Sequence, residues 1–258
     1  MIRLLRKFHQ KQKLAKLTNL ANYTTTFLFN KVGSWPALLP EERLRSYRKV
    51  LFLAPHQDDE AFSLGGTVSL WNSFQSTRIA FVWFSRANDR GRSNEARQFM
   101  AALDCAKGNL GVEPLPFADE NVPVKRSREK IREMISSIQP DLLCVPSIFD
   151  AHMDHLRLNV ALRKAIGDLD WVGDVMQYEV WNSLPPTHSI DISAVIEQKR
   201  SLMEIFRSQL NEPNRAYIDR MLSLNHYRGL PFQIDAAEGV ILTTSTEFLK
   251  FANKFEEK

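Results

Sequence analysis

Val50-Leu51-Phe52-Leu53-Ala54-Pro55-His56-Gln57-Asp58-Asp59-Glu60 is the stretch on which the fold turns. Five apolar residues in succession, without polar alternation, read as a strand covered on both faces. The charged run after it reads as a loop opening a helix from about Glu60 to Phe74. Working outward, Ile79–Phe84 and Asp141–Pro146 are further buried strands, and Val175–Val180 is one more. Between them lie helical patterns. About Asn94 to Leu110 places Ala96, Phe99, Met100, Leu103 and Leu110 on one face. After Ser127, Ile131, Met134, Ile135 and Ile138 are spaced by three and four, and Pro140 ends the helix. Ile192–Leu210 reads as a long helix, and after Pro213 the pattern loses definition. Strands alternating with helices of about 10–15 residues predict an α/β fold, a largely parallel sheet with helices on both faces.

Composition sets the limits. The chain has 258 residues, 44% of them hydrophobic, enough for one sizeable core and too few for two large domains. Its net charge of +4 is uneven: residues 1–40 carry seven Lys and Arg and no acid, leaving −3 for the remainder. A basic balance confined to an arm argues against a nucleic-acid-binding body, and no nucleic acid is expected as a partner. The organisation expected is a basic, partly helical arm over 1–45 and a single domain over 46–258. Leu4, Leu5, Phe8, Leu14, Leu17 and Leu20 interleave with the basic residues, which suits peripheral contact with an anionic membrane as well as packing on the body. No apolar run reaches the length of about 18 residues that a membrane span requires. Cys105 and Cys144 sit in dissimilar apolar contexts and read as core thiols, which fits a cytoplasmic location.

Three of the six histidines fall into two acidic clusters, His56-Gln57-Asp58-Asp59-Glu60 and His152-Met153-Asp154-His155. Each follows a predicted strand, where parallel sheets bind their ligands. A hydrolytic zinc site takes three His or carboxylate ligands and keeps a position open for water. His56, Asp59 and one histidine of the second cluster would make such a set. Asp58 could take the proton from water, and the remaining histidine could stabilise an oxyanion, with a nearby Asp fixing its tautomer. Taken singly, Asp-Asp-Glu is an ordinary solvated helix start and His-x-Asp-His is ordinary loop material. Their joint placement after two strands of one sheet gives them weight.

Pro-His-x-Asp-Asp-Glu followed by His-x-Asp-His resembles the signature of the PIG-L/LmbE-like deacetylases. Leu64-Gly65-Gly66-Thr67, the Arg-x-x-Glu pattern at Arg92–Glu95 and Gln139-Pro140-Asp141 resemble the family as well. The likeness covers about residues 47–165. It continues weakly through Tyr178–Trp181, Ser208-Gln209 and Ala237-Glu238, and excludes the arm. Gln57 and Met153 stand where the family often has Pro. The resemblance implies a Rossmann-like fold and a zinc-dependent hydrolase acting on N-acetylated amino-sugar conjugates. It implies His56, Asp59 and His155 as metal ligands, Asp58 as general base, and His152 as oxyanion stabiliser oriented by Asp154. Arg92 and Asp119 resemble sugar-binding positions. Zn2+ is the implied metal, and Fe2+ suits the same donors. The alternative reading is a non-catalytic carbohydrate- or lipid-carrier-binding protein on the same fold, which predicts a degraded catalytic position. All six motif residues are present. Trp181 reads as a core aromatic and His226 as a surface turn residue.

Overall fold

The computed structural model describes residues 36–74, 76–84, 90–103, 110–112, 122–210 and 216–256. The amphipathic reading of the arm and the reading of Asp119 therefore lie outside the described residues. The elements are β1 (Ala37–Leu38), α1 (Glu41–Ser46), β2 (Lys49–Ala54), α2 (Asp59–Phe74), β3 (Arg78–Trp83), α3 (Arg90–Ala102), β4 (Leu110–Val112), α4 (Val124–Ile138), β5 (Leu142–Pro146), α5 (Met153–Gly167), β6 (Asp174–Tyr178), β7 (His188–Asp191), α6 (Ile196–Glu204), α7 (Tyr217–Gly229), β8 (Ala237–Thr244) and α8 (Ser245–Glu256).

They build one eight-stranded sheet in the order β1-β7-β8-β6-β5-β2-β3-β4. Every pairing is parallel except those of β8, which runs antiparallel to β6 and β7. β2 shows why its apolar run is continuous. Val50, Phe52 and Ala54 enter the core beneath α2, α3, α6 and α7, while Leu51 and Leu53 enter the opposite core beneath α4, α5 and α8. Both faces are buried, so no polar alternation survives. The chain proceeds from β2 outward to β3 and β4, then returns to place β5 on the other side of β2. That reversal is a topological switch point, and it opens a crevice beyond Ala54 and Pro146.

Three expectations change. The body starts before residue 46. Ala37 and Leu38 pair with His188 and Ser189 as an edge strand, and Leu39 and Leu44 are buried, so Pro36 and Pro40 bracket a strand. Leu110 belongs to β4, because α3 ends at Ala102. The long helix expected over Ile192–Leu210 is α6 flanked by 3-10 turns at Ser193–Val195 and Arg207–Gln209. Phe206 leaves helical geometry (φ −83°, ψ 53°) and its ring is buried. The turn that results brings Ser208 and Gln209 to α3.

α2 is two helical pieces joined at Leu64 (φ −112°, ψ 27°). The break frees backbone N–H groups that an unbroken helix would satisfy. Glu238 of β8 takes them: Oε1 accepts from the N–H of Gly66 and Oε2 from that of Thr67, both at 2.9 Å, with the Thr67 hydroxyl at 2.6 Å. Lys199 pairs with Glu238 at 2.7 Å and donates to the carbonyl of Ser63 at 2.9 Å. A Cβ at Gly66 would lie 2.7 Å from Ile192, so the close packing of this break requires glycine. Among the described residues, no helix is long and apolar enough to cross a membrane.

Candidate metal centre and active site

β2 ends at Ala54, and the next turn sets His56, Asp58 and Asp59 over the crevice. The carbonyl of Asp58 accepts the first helical bonds of α2, from the N–H groups of Ala61 and Phe62. Asp59 reaches back to accept from the N–H of His56 at 2.9 Å, which fixes its carboxylate. Glu60 points away from the crevice. Burial raises its pKa to about 8, and its Oε2 accepts from the Trp83 indole at 3.0 Å. From the other side of the switch point, β5 and a short turn deliver Asp150 and then α5. His152 caps that helix, and its Nδ1 accepts from the N–H of Asp154 at 3.2 Å.

Asp59 stands between two imidazoles. Its Oδ2 is 3.4 Å from His56 Nδ1, and its Oδ1 is 3.5 Å from His155 Nε2. The far nitrogen of each ring faces an acid: His56 Nε2 lies 3.4 Å from Asp154, and His155 Nδ1 lies 3.1 Å from Asp150. Ligand atoms about 2.0–2.1 Å from a tetrahedral zinc stand about 3.3–3.4 Å apart, close to the two spacings around Asp59. His155 is fully buried, and its Nε2 has no well-aligned hydrogen bond, so a buried polar atom faces Asp59 without a conventional partner. Carboxylates behind metal-binding imidazoles are the usual outer support of such centres. The donor set fits a divalent metal. Nitrogen atoms of His56, His152 and His155 also lie within 4.8 Å of one another, so His152 is within reach of the same centre. The tighter spacing favours Asp59 as the third member.

The electrostatics match a site built for a cation. Burial opposes charge on His56, but bonds to Asp154 and Asp59 outweigh it and raise its pKa to about 9. His155 is likewise raised to about 10 by Asp59 and Asp150 against its own burial. Asp59 is held well below the usual carboxylate range, because the two imidazoles overcome its desolvation. Asp58 goes the other way. Burial first, and the Asp59 charge second, push it to about 7 against the pull of Arg92, whose guanidinium lies 3.2 Å away. Burial and the neighbouring imidazoles lower the pKa of His152, which keeps the ring neutral.

These groups line a cleft of about 200 Å3 with Phe62, Arg92, Val180, Trp181, Gln209 and Tyr217. His56, Asp58, Asp59, His152 and Arg92 reach this cleft, and His155 lies directly behind it. Asp154 differs from expectation. Its carboxylate meets His56, the N–H of Val122 at 2.9 Å and Arg157, while its backbone, not its side chain, meets the His152 ring. The reason is local: as N-cap, His152 turns Nδ1 onto the first turn of α5. Trp181 also departs from its core reading, being 57% exposed at the cleft. His226 lies on α7, exposed, with Nδ1 2.6 Å from the carbonyl oxygen of Asp235.

Sequence reasoning missed Asp150 and gave no part to Tyr217. Asp150 holds three things at once: the His155 ring, the N–H of His152 at 2.8 Å and the N–H of Trp181 at 3.2 Å. Its signal was an acid two residues before the second cluster. Gln209 was legible only as a faint likeness. It bonds Arg92, and Glu95 secures its turn by accepting from the N–H and hydroxyl of Ser208 at 2.8 and 2.6 Å.

Residues 51–166 match the family model PIG-L, described as GlcNAc-PI de-N-acetylase. The chain is 26% identical to the 2'-N-acetylparomamine deacetylase of Streptomyces fradiae, covering 66% of this chain and 76% of that protein. Its fold is similar to that of the N,N'-diacetylchitobiose deacetylase of Pyrococcus horikoshii, with a TM-score of 0.68 and 17% identity over 88% of this chain and 94% of that one. It is also similar to the 4-carboxy-2-hydroxymuconate hydratase of Pseudomonas putida, with a TM-score of 0.61 and 16% identity over 76% and 96% of the two chains. A deacetylase and a hydratase on one architecture show that the fold alone does not name a reaction. Both histidine clusters fall inside the segment that matches the PIG-L family model, and they face each other across the switch point of the sheet.

Proposed function

We propose that this protein is a metal-dependent hydrolase that removes the N-acetyl group of an N-acetylglucosaminyl-type amino-sugar conjugate and releases acetate. The observation that carries it is the set of His56, Asp59 and His155 at 3.4 and 3.5 Å spacing, with Asp58 beside it in an open cleft. The 2'-N-acetylparomamine and N,N'-diacetylchitobiose deacetylases are named for N-acetylated amino sugars, which supports the substrate class.

His56, Asp59 and His155 would hold the metal, and zinc suits their donors and spacing; iron(II) suits the donors too. Such a metal supplies a polarised carbonyl and a more acidic water. Asp58, with its pKa at about 7, takes the proton from the attacking water. His152 is neutral, with its Nδ1 occupied by a backbone N–H, so Nε2 carries the hydrogen and donates to the carbonyl oxygen as charge develops there. The water oxygen bonds to carbon, the C–N bond breaks, and protonated Asp58 returns its proton to the departing amine. Arg92 and Gln209 contact sugar hydroxyls, and Asp119 is assigned the same task by family likeness alone. Asp154 supports His56 in place of His152.

Acetate release from a panel of N-acetylated sugar conjugates, with chelator and after metal restoration, tests the reading. Chelator-sensitive release supports it. Binding of conjugates with no cleavage by the metal-loaded protein would favour the non-catalytic alternative. The finer placement at an anionic membrane rests on residues 1–40 and is tested by salt-sensitive co-sedimentation with anionic vesicles, which a chain starting at Pro36 should lose.

A further inference from the structure

Phe62, Tyr217 and Trp181 form a row of rings along one side of the cleft. The Phe62 and Tyr217 centroids are 4.9 Å apart at 29°, and those of Tyr217 and Trp181 are 5.7 Å apart at 22°. His152 lies 6.3 Å from Trp181 at 24°, so the row ends on the proposed oxyanion donor. Phe62 is buried, whereas Trp181 is exposed. At 57% exposed, Trp181 leaves much of its apolar surface open at the cleft, which is unfavourable unless something rests on it. Its main chain is fixed, since Asp150 accepts from the backbone N–H groups of Trp181 and His152 and also holds the His155 ring. The hydroxyl of Tyr217 is buried in the same wall and has no hydrogen-bond partner among the described residues. Such a group is costly to leave unpaired. Arg92, Gln209 and Asp58 complete the cleft lining with polar groups.

We infer that this row is a platform for one face of a pyranose, with Trp181 stacking on the sugar ring and the Tyr217 hydroxyl hydrogen-bonded to it. The inference deepens the proposed function and rests on it. A pyranose has a face of C–H groups and a rim of hydroxyls. The face suits the indole and the rim suits Arg92 and Gln209, so the cleft selects amides attached to a sugar ring over acyclic amides.

The test uses the metal-loaded protein and an N-acetylglucosaminide as the probe. Trp181→Ala should raise KM on the order of tenfold with a much smaller change in kcat, as expected for loss of an aromatic anchor. Trp181→Phe should recover most of that loss, and Tyr217→Phe should raise KM severalfold. Metal content should stay at the wild-type level in all three. An unchanged KM in Trp181→Ala, or no recovery in Trp181→Phe, overturns the platform. If the wild type cleaves no amide, the proposed function fails separately. Calorimetric binding of the same glycoside then decides: affinity lost in Trp181→Ala and kept in Trp181→Phe supports the platform, and equal affinity in all three proteins overturns it.

Discussion

The backbone N–H of Asp154 donates to Nδ1 of His152 at 3.2 Å, so a helix cap decides which imidazole nitrogen faces the cleft. A ring held in this way presents Nε2–H and stays neutral, because the adjacent imidazoles and its burial lower its pKa. His152→Ala should therefore lower kcat on the order of 10²–10³-fold, the usual cost of a lost oxyanion donor, with metal content nearly intact. Metal analysis beside kinetics checks this. Substantial loss of metal would make His152 a ligand, consistent with its nitrogen lying within 4.8 Å of those of His56 and His155.

Asp58→Asn should retain metal and lose roughly 10²–10⁴-fold in rate, the range for a missing general base. The pH profile carries the same assignment. Burial and Asp59 raise the folded pKa of Asp58 to about 7, so the carboxylate form is lost as pH falls through that value. The kcat/KM of the wild type should decline on the acid side, with metal charge moving the limb downward. Arg92→Ala removes a cation 3.2 Å from Asp58, so besides weakening substrate binding it should move that limb to higher pH. A limb unmoved in Arg92→Ala would separate the two residues.

His56→Ala, Asp59→Ala and His155→Ala should each lower bound metal, and Asp150→Asn should weaken affinity about 10–100-fold by releasing the far side of His155. Titration calorimetry in buffers of different ionisation enthalpy adds a sign. In the metal-free protein His56 and His155 have pKa values raised to about 9 and 10, so near pH 7 both are protonated and metal binding must release those protons. Affinity should weaken as pH falls. The metal-free fold gains stability from these raised pKa values, in full below the unfolded histidine value of about 6.5 and lost as pH rises through 9 to 10. Binding without proton release would contradict the ligand set.

The break in α2 predicts an asymmetry in stability. Glu238→Ala strands the buried ammonium of Lys199 and two backbone N–H groups, so it should cost about 3–5 kcal/mol, the range for breaking a buried pair. Lys199→Met leaves Glu238 its three donors from Gly66 and Thr67 and should cost clearly less. Thermal denaturation of the two variants compares them directly. Equal losses would mean that the ion pair, not the cap on the broken helix, holds the segment.

The sequence by itself determined the strands that frame the site. Val50–Ala54, Ile79–Phe84 and Leu142–Pro146 are buried on both faces, and that demand is written into consecutive residues, so β2, β3 and β5 were legible without any knowledge of neighbours. It also determined that His56 and His152–His155 lie beyond strand ends, because each cluster follows its strand within a few residues. What only the tertiary structure decided are contacts between segments far apart in the chain. Asp154 meets His56 across 98 positions, and Glu238 caps Gly66 across 172. Residue type announces neither contact, since an acid beside a histidine can face either ring and a glycine pair can end a helix or break one. Trp181 shows the same limit. Its apolarity suited the core, but Asp150 and the turn after β6 set it at the cleft, and exposure is a property of what the rest of the chain leaves uncovered.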